Sequence, residues 1–486
     1  MKNEIIKKSV AELSNLIRSR EVSAAEVTEA YLARIEETEP EINAYITVTS
    51  DEARRDAELA DAVIAAEGDD APILAGVPYS LKDNIMTAGI RSTCASRMLE
   101  NFVPPYSAAV HEKIGMCGGV LLGKNNLDEF AMGSSSEKSY FGTVRNPIDK
   151  TRAAGGSSGG SAAAVSAYST PWSVGTDTGG STRQPASFCG VVSIKPTSGL
   201  VSRFGVTELS SSLDTVCPIT RNVYDSALVL GCISGRDERD MTSLDVSEKY
   251  TDGIDAGVSG LRVGVFFGSY GACSAGCRNS FARSAEKLRK MGATVEEAVI
   301  PRTDIILATY LVICSAEASS NLARFDGLKY GYSAGGDSYA EIMTKSRAEG
   351  FGAEVKKRIL AGGYALSSID GEDYYRSAKA AQAEVCSIVD GLWDKFDLLL
   401  MPTSADAAFV LGAHDADPAK MYASDLFTTI ANITGCPAIT LPSGGDGCLP
   451  YGVTLMGKRL SEKLLFRAAY ALEDALSEYV KAEVAR

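Results

Sequence analysis

Between Gly155 and Ser161 the chain reads Gly-Gly-Ser-Ser-Gly-Gly-Ser and runs straight into Ala162-Ala-Ala-Val-Ser-Ala-Tyr168. A flexible linker has the first composition, but alanine is the strongest helix former, and linkers are seldom followed at once by such a segment. The run is therefore read as a turn that opens a helix. A helix of about ten residues from Gly160 advances ~15 Å at ~1.5 Å per residue. A return strand of about seven residues ending near Asp177 covers ~23 Å at ~3.3 Å per residue. The strand can thus come back beside the start of the helix and set Ser181, in Thr178-Gly-Gly-Ser181, near Ser157.

Three chemistries use glycine-rich turns of this kind. A phosphate loop is disfavoured, because no Gly-Lys-Ser/Thr follows and Lys150 lies upstream. Gly155-x-Ser157-x-Gly159 matches a nucleophile elbow formally, yet Lys150–Ala154 is not a buried strand and the only downstream histidine is His414. The third reading puts Ser157 at a helix N-terminus, where backbone N–H groups and the helix dipole favour developing negative charge. Asp177-Thr-Gly179 alone suggests an aspartic protease, but that chemistry needs a second such triplet and the chain has none.

Histidine is the tightest constraint on mechanism. There are two, His111 and His414, so multi-histidine zinc sites are nearly excluded and no metal is expected. A serine hydroxyl needs a base to become a nucleophile. With imidazole so scarce, the candidate is a lysine of lowered pKa. Lys82 fits, since it ends the apolar run Gly76-Val-Pro-Tyr-Ser-Leu81. To be neutral near pH 7 it must fall about three units from ~10.4, a cost of ~4 kcal/mol that burial can impose. The alternative is a lysine whose stem lies on apolar surface while its head reaches water.

The remaining chain reads as one large α/β unit of an ordinary globular composition, 45 % hydrophobic and 23 % charged over 486 residues. The 62 acidic and 48 basic side chains give a formal charge of −14, which disfavours direct nucleic-acid binding. The first residues carry no signal-peptide apolar region, and no stretch of about 18 apolar residues is seen, so a cytoplasmic protein is expected. The 11 cysteines are scattered. Cys94, Cys189, Cys217 and Cys436 read as reduced buried thiols, and Cys273 with Cys277, lacking nearby histidine, as plain loop cysteines.

Amphipathic helices are predicted over 10–37, with Ser23 and Glu26 as a capping box, and over 51–66. A strand is predicted over 73–81, a helix over 107–117, a strand over 119–122 and a helical turn over 126–132. Strand, helix and strand over 261–266, 279–290 and 293–299 predict a parallel crossover. Further strands are read at 398–401 and 438–441, with a closing helix over 461–484. The expected organisation is a helical N-terminal arm, 1–70, and an α/β domain, 71–486, interrupted by a helical insertion over 305–390.

Lys82 in Leu-Lys-Asp-Asn, Gly155-Gly-Ser-Ser-Gly-Gly-Ser-Ala-Ala-Ala164, Asp177-Thr-Gly-Gly-Ser181 and Phe188-Cys-Gly-Val-Val-x-x-Lys-Pro-Thr197 together resemble the amidase signature family. That resemblance implies a large mixed central sheet covered by helices on both faces. It implies a Ser-cisSer-Lys triad, with Ser181 the nucleophile, Ser157 the proton relay after a cis bond from Gly156, and Lys82 the neutral base. The N–H groups of Thr178, Gly179 and Gly180 would form the oxyanion hole.

A further likeness, to the amidase-like chains of tRNA-dependent glutamine amidotransferases, runs nearly end to end. It rests on Thr93-Cys-Ala-Ser96, Glu100–Tyr106, Asp128-Glu-Phe-Ala-Met-Gly133, Glu317–Arg324, Glu349-Gly-Phe-Gly352, Lys357-Arg358, Asp425-x-Phe-Thr428 and Gly435-Cys-Pro-Ala438. It implies glutamine as substrate, with Arg358 on its carboxylate, Asp425 on its ammonium and Tyr310 in the same pocket. It implies B and C subunits completing a heterotrimer, with ATP, Mg2+ and most tRNA contacts on the partner, and ammonia for converting Glu-tRNA(Gln) to Gln-tRNA(Gln). Whether Asp-tRNA(Asn) is also used stays open. A free-standing amidase of another small amide would share the triad, and a non-catalytic scaffold would keep Lys82 charged.

Overall fold

Ser9 and Ser23 start the first two long helices in the same way. Each hydroxyl accepts from the N–H three residues on, and Glu12 and Glu26 accept in return from the backbone of Ser9 and Ser23. Both orphaned ends are thereby satisfied, and helices Val10–Arg18 and Ala24–Ile42 form where the apolar spacing places them. The computed structural model describes residues 2–266, 273–367, 373–413, 425–447 and 449–484. His414 lies outside the described residues.

Among the described residues eleven strands form one sheet. In chain order they are β1 (Tyr45–Val48), β2 (Pro78–Lys82), β3 (Val120–Asn125), β4 (Trp172–Asp177), β5 (Val192–Lys195), β6 (Thr215–Thr220), β7 (Arg262–Phe266), β8 (Thr294–Ala298), β9 (Leu398–Pro402), β10 (Ala438–Asp446) and β11 (Leu449–Gly457). Their spatial order is β1-β3-β2-β4-β6-β5-β10-β11-β9-β7-β8. β2 runs parallel to both β3 and β4, the centre of the sheet is antiparallel, and β9, β7 and β8 are again parallel. Every residue of β2, β3, β4, β6 and β9 is buried, so both faces are covered there. Trp172 of β4 stacks on Tyr79 of β2 with ring centroids 5.3 Å apart.

The crossover expected over 261–299 forms as β7, helix Ala275–Lys290 and β8, with Val263 paired to Val295. Cys273 and Cys277, at the start of that helix, are free and buried. The arm contains an element that its helical reading leaves out: β1 lies between helices Ala24–Ile42 and Ser50–Glu67 and pairs antiparallel with β3. Four residues are too few for a period-two pattern to stand out, and pairing with β3 makes them a strand.

The segment read as a helical insertion contains helices Thr303–Asn321, Tyr339–Gly350, Ala353–Leu366 and Tyr374–Leu392. One helix bears on the expectation that no long apolar run occurs. Thr303–Arg324 is helical, with a mean hydropathy of 1.4 over a window long enough to cross a bilayer, although Thr, Ser and Glu interrupt its apolar run. Half of that window is buried within the fold, and Ile313, Cys314 and Ala318 are core residues packed under the other insertion helices.

Candidate active site

The parallel strand β2 is buried along its whole length and delivers Lys82, 0 % exposed, into the interior at its C-terminal end. Its amine is not left without partners. Nζ lies 2.7 Å from Ser157 Oγ, 2.8 Å from Ser158 Oγ, 3.0 Å from Thr176 Oγ1 and 3.4 Å from the Thr176 carbonyl. Burial pulls Lys82 down to about 7, against the opposing pull of the carboxylates of Asp128, Asp214 and Asp177. Near neutral pH the amine therefore exists in both forms, and the uncharged one can accept a proton from Ser157.

Ser157 stands just ahead of the helix Gly159–Ser166, and the peptide bond joining it to Gly156 is cis. Its carbonyl accepts from Asp128 N–H at 3.3 Å and from Ser136 Oγ at 3.4 Å. Gly156 is walled in: a Cβ there would sit 2.1 Å from Asp128 Oδ2 and 2.5 Å from Ser135 N. The same carboxylate accepts the N–H groups of Ser135, Ser136 and Lys138, while burial raises its pKa.

Ser181 follows the end of β4. Ser158 N–H donates to the Ser181 carbonyl at 2.9 Å, which ties the return strand's turn to the serine loop as the geometry of helix and strand predicts. Lys82 and Ser157 are 0 % exposed and Ser181 is 8 % exposed, so of these three residues Ser181 alone has surface open to a ligand. The turn is held from beneath by a buried ion pair. Arg183 Nη2 lies 2.9 Å from Asp177 Oδ1, and Asn432 donates to the same oxygen. Burial alone would raise the Asp177 pKa, but the Arg183 guanidinium beside it and the Asn432 amide hold it well below the usual carboxylate range.

The three amides expected to face an oxyanion differ from one another. Gly180 N–H already donates to Asp177 Oδ1 at 2.9 Å. The N–H groups of Thr178 and Gly179 meet no protein acceptor among the described residues. Thr178 Oγ1 donates to Asp214, whose carboxyl burial pushes up to about 6.

Tyr310, Arg358 and Asp425 come from segments far apart in sequence and meet on one flank of this turn. A Cβ on Gly179 would lie 2.5 Å from Tyr310 Cζ, so the ring rests directly on the Gly179 backbone. Arg358 is 5 % exposed and pairs with Glu354 at 3.0 Å, and its charge acts on both Tyr310 and Asp425. Asp425 accepts from Ser134 Oγ at 2.8 Å, and burial pushes its carboxyl up to about 7 against the pull of Ser134 and Arg358. A guanidinium and a carboxylate whose charges act on one another flank this turn, a pairing that suits a zwitterionic head group.

Sequence reasoning missed Ser158 and Thr176 around the amine, and the Asp177–Arg183 pair. Ser158 was visible as the second serine of the glycine-rich run. Asp177 was visible in the Asp177-Thr-Gly-Gly-Ser181 motif, but nothing in that motif shows its pairing with Arg183.

With this geometry in hand, likeness to known proteins is decisive. Residues 26–466 match the Amidase family model. The chain belongs to the amidase family. Among its relatives in that family, the A subunit of glutamyl-tRNA(Gln) amidotransferase from Prochlorococcus marinus (strain MIT 9313) is 48 % identical over 96 % of this chain and 97 % of its own. Its counterpart from Thermoanaerobacter pseudethanolicus is 46 % identical over 97 % of each chain. The crystal structure of the corresponding Thermotoga maritima chain is similar with a TM-score of 0.79 and 38 % identity, covering 98 % of this chain and 94 % of that one. A bacterial aryl acylamidase of the amidase signature enzymes is also similar, with a TM-score of 0.87 and 26 % identity over 99 % of each chain.

Proposed function

We propose that this chain is the glutaminase component of a tRNA-dependent amidotransferase, hydrolysing the side-chain amide of glutamine to supply ammonia for converting Glu-tRNA(Gln) to Gln-tRNA(Gln). The observation that carries the choice among amidases is the 46–48 % identity to glutamyl-tRNA(Gln) amidotransferase chains over nearly the whole of both sequences.

In this reading neutral Lys82 takes the Ser157 proton while Ser157 takes that of Ser181, and Ser181 Oγ attacks the side-chain carbonyl carbon of glutamine. The 2.7 Å contact between Lys82 and Ser157 and the partial exposure of Ser181 support those roles. The oxyanion is held by the N–H groups of Thr178 and Gly179, which work best because they are fixed before the charge develops. Gly180 contributes through the Asp177 bond that shapes the turn. The relayed proton leaves with ammonia, and water then cleaves the glutamyl ester of Ser181 to release glutamate. Arg358 binds the substrate carboxylate, Asp425 its ammonium, and Tyr310 forms a wall of the pocket.

Ammonia passes to B and C subunits in a cytoplasmic heterotrimer. The partner binds ATP, Mg2+ and most of the tRNA, a division of labour that suits a chain of formal charge −14. The likeness to an aryl acylamidase favours one second reading, a free-standing amidase with the same hydroxyl and amine set. Ammonia release from glutamine and from aryl amides, with and without partner subunits and Glu-tRNA(Gln), separates the two. Stimulation by partners and indifference to aryl amides supports the amidotransferase. Fast aryl amide turnover by the isolated chain, unresponsive to partners, supports the free amidase.

A further inference from the structure

Asp425 and the Gly156–Ser157 backbone are joined by an unbroken line of buried hydrogen bonds. Ser134 Oγ donates to Asp425 Oδ2 at 2.8 Å. Gln184 Nε2 donates to the Ser134 carbonyl at 3.0 Å, and Gly156 N–H donates to Gln184 Oε1 at 2.9 Å. The orientation of the Gln184 amide is fixed by its neighbours, since an N–H group must meet its oxygen and a carbonyl its nitrogen. Ser134 is 3 % exposed and Gln184 is fully buried, so neither can exchange these partners for water without cost.

We propose that Ser134 and Gln184 are positioning residues that couple occupation of the ammonium subsite at Asp425 to the placement of Ser157, making hydrolysis sensitive to the head group of the substrate. This rests on the proposed binding of a zwitterionic amide by Arg358 and Asp425. Among the described residues only Oδ2 of Asp425 is bonded to a protein donor, which leaves Oδ1 for the incoming ammonium. A cation on Oδ1 draws the carboxylate toward it, and the Ser134 hydroxyl follows. Ser134 cannot shift alone. A Cβ on Gly156 would be 2.8 Å from the Ser134 carbonyl carbon, and one on Gly155 would be 2.7 Å from Gln184 Oε1. Both glycines are therefore in direct contact with the line, and displacement at one end is felt at the other. A close-packed turn with no side chains transmits such a shift to Ser157, whose Oγ must stay within reach of Lys82.

The test compares glutamine with glutaramate, which keeps the side-chain amide and carboxylate but lacks the α-amino group, in the full complex with its partner subunits. Ser134→Ala is expected to lower kcat/KM for glutamine about tenfold more than for glutaramate, the scale of one buried hydrogen bond lost. Ser134→Thr, which restores a hydroxyl, is expected to recover part of that preference. Gln184→Met is expected to lower kcat on glutamine more than it raises KM. In an Asp425→Asn background the Ser134→Ala change should leave the remaining preference where it was, since the line then has no charged end.

Equal losses on both substrates in Ser134→Ala would mean a purely structural role and would overturn the coupling. Asp425→Asn separates the two claims. If it abolishes the preference for glutamine while Ser134→Ala does not reduce it, the subsite stands and the coupling fails. If Asp425→Asn keeps the preference intact, the head-group reading itself fails.

Discussion

Lys82 Nζ and Ser157 Oγ lie 2.7 Å apart in a place where neither residue has any exposed surface. An amine and a hydroxyl so enclosed exchange a proton only with each other and with the groups around them. In the proposed mechanism they act as one unit. Lys82→Ala and Ser157→Ala are each expected to lower kcat by about 10²- to 10⁴-fold, the range of general acid–base catalysis. The double variant should be no slower than the slower of the two single variants, as seen for groups that function jointly. Steady-state ammonia release measures this, and multiplicative losses would separate the two residues.

The pH profile follows from two groups that burial moves toward the same value. Lys82 sits at about 7 and must be neutral, so its active form gains as pH rises. Asp425 also sits at about 7 and must be ionised to bind ammonium, so it gains in the same interval. The acid limb of kcat/KM should therefore steepen toward about a hundredfold per pH unit, two protons being involved in the free enzyme. The limb of kcat should approach only about tenfold per unit, because bound ammonium keeps Asp425 ionised. Identical slopes in both plots would remove one of the two groups from the scheme.

Much of the scaffold could be read because its signals are local. The Ser23–Glu26 capping box, the run ending at Lys82, and the glycine turn before an alanine helix each need only a few neighbouring residues. Chain geometry alone also brought the Ser181 turn toward Ser157. β1 escaped because its strand character comes from its partner β3, and the apolar length of Thr303–Asn321 because polar residues interrupt its run. The pocket is the extreme case. Tyr310, Arg358 and Asp425 come from three separate segments, so no periodicity or spacing within one of them could show that they meet. Family likeness supplied them, whereas the contact of Asp128 with Gly156 is visible only in three dimensions.

Pocket geometry makes a prediction about substrate binding. Gly179→Ala places a methyl group 2.5 Å from Tyr310 Cζ, so the ring must move. Arg358→Lys keeps the charge but loses the planar fork that grips a carboxylate. Both are expected to raise KM for glutamine by about tenfold or more, the scale of one charge-assisted hydrogen bond. Initial-rate kinetics over a glutamine series decides this. An unchanged KM in Arg358→Lys would exclude a two-pronged carboxylate contact.

Beneath the turn, Arg183 and Asp177 are both 0 % exposed and 2.9 Å apart. Arg183→Met leaves the carboxylate buried without its charge partner, a change that typically costs about 3–5 kcal/mol. The thermal midpoint should fall, and the Gly180 amide should lose its fixed acceptor geometry, lowering kcat as well. A variant with wild-type melting and rate would show that the pair is dispensable.

The nucleophile can be tested by trapping it. Wild-type protein quenched during turnover of glutamine and digested should carry a glutamyl group, seen by mass spectrometry, on the peptide containing Ser181. Ser181→Ala should carry none and release no ammonia above background. A glutamyl group on any other residue, or undiminished ammonia release from Ser181→Ala, would contradict the assignment.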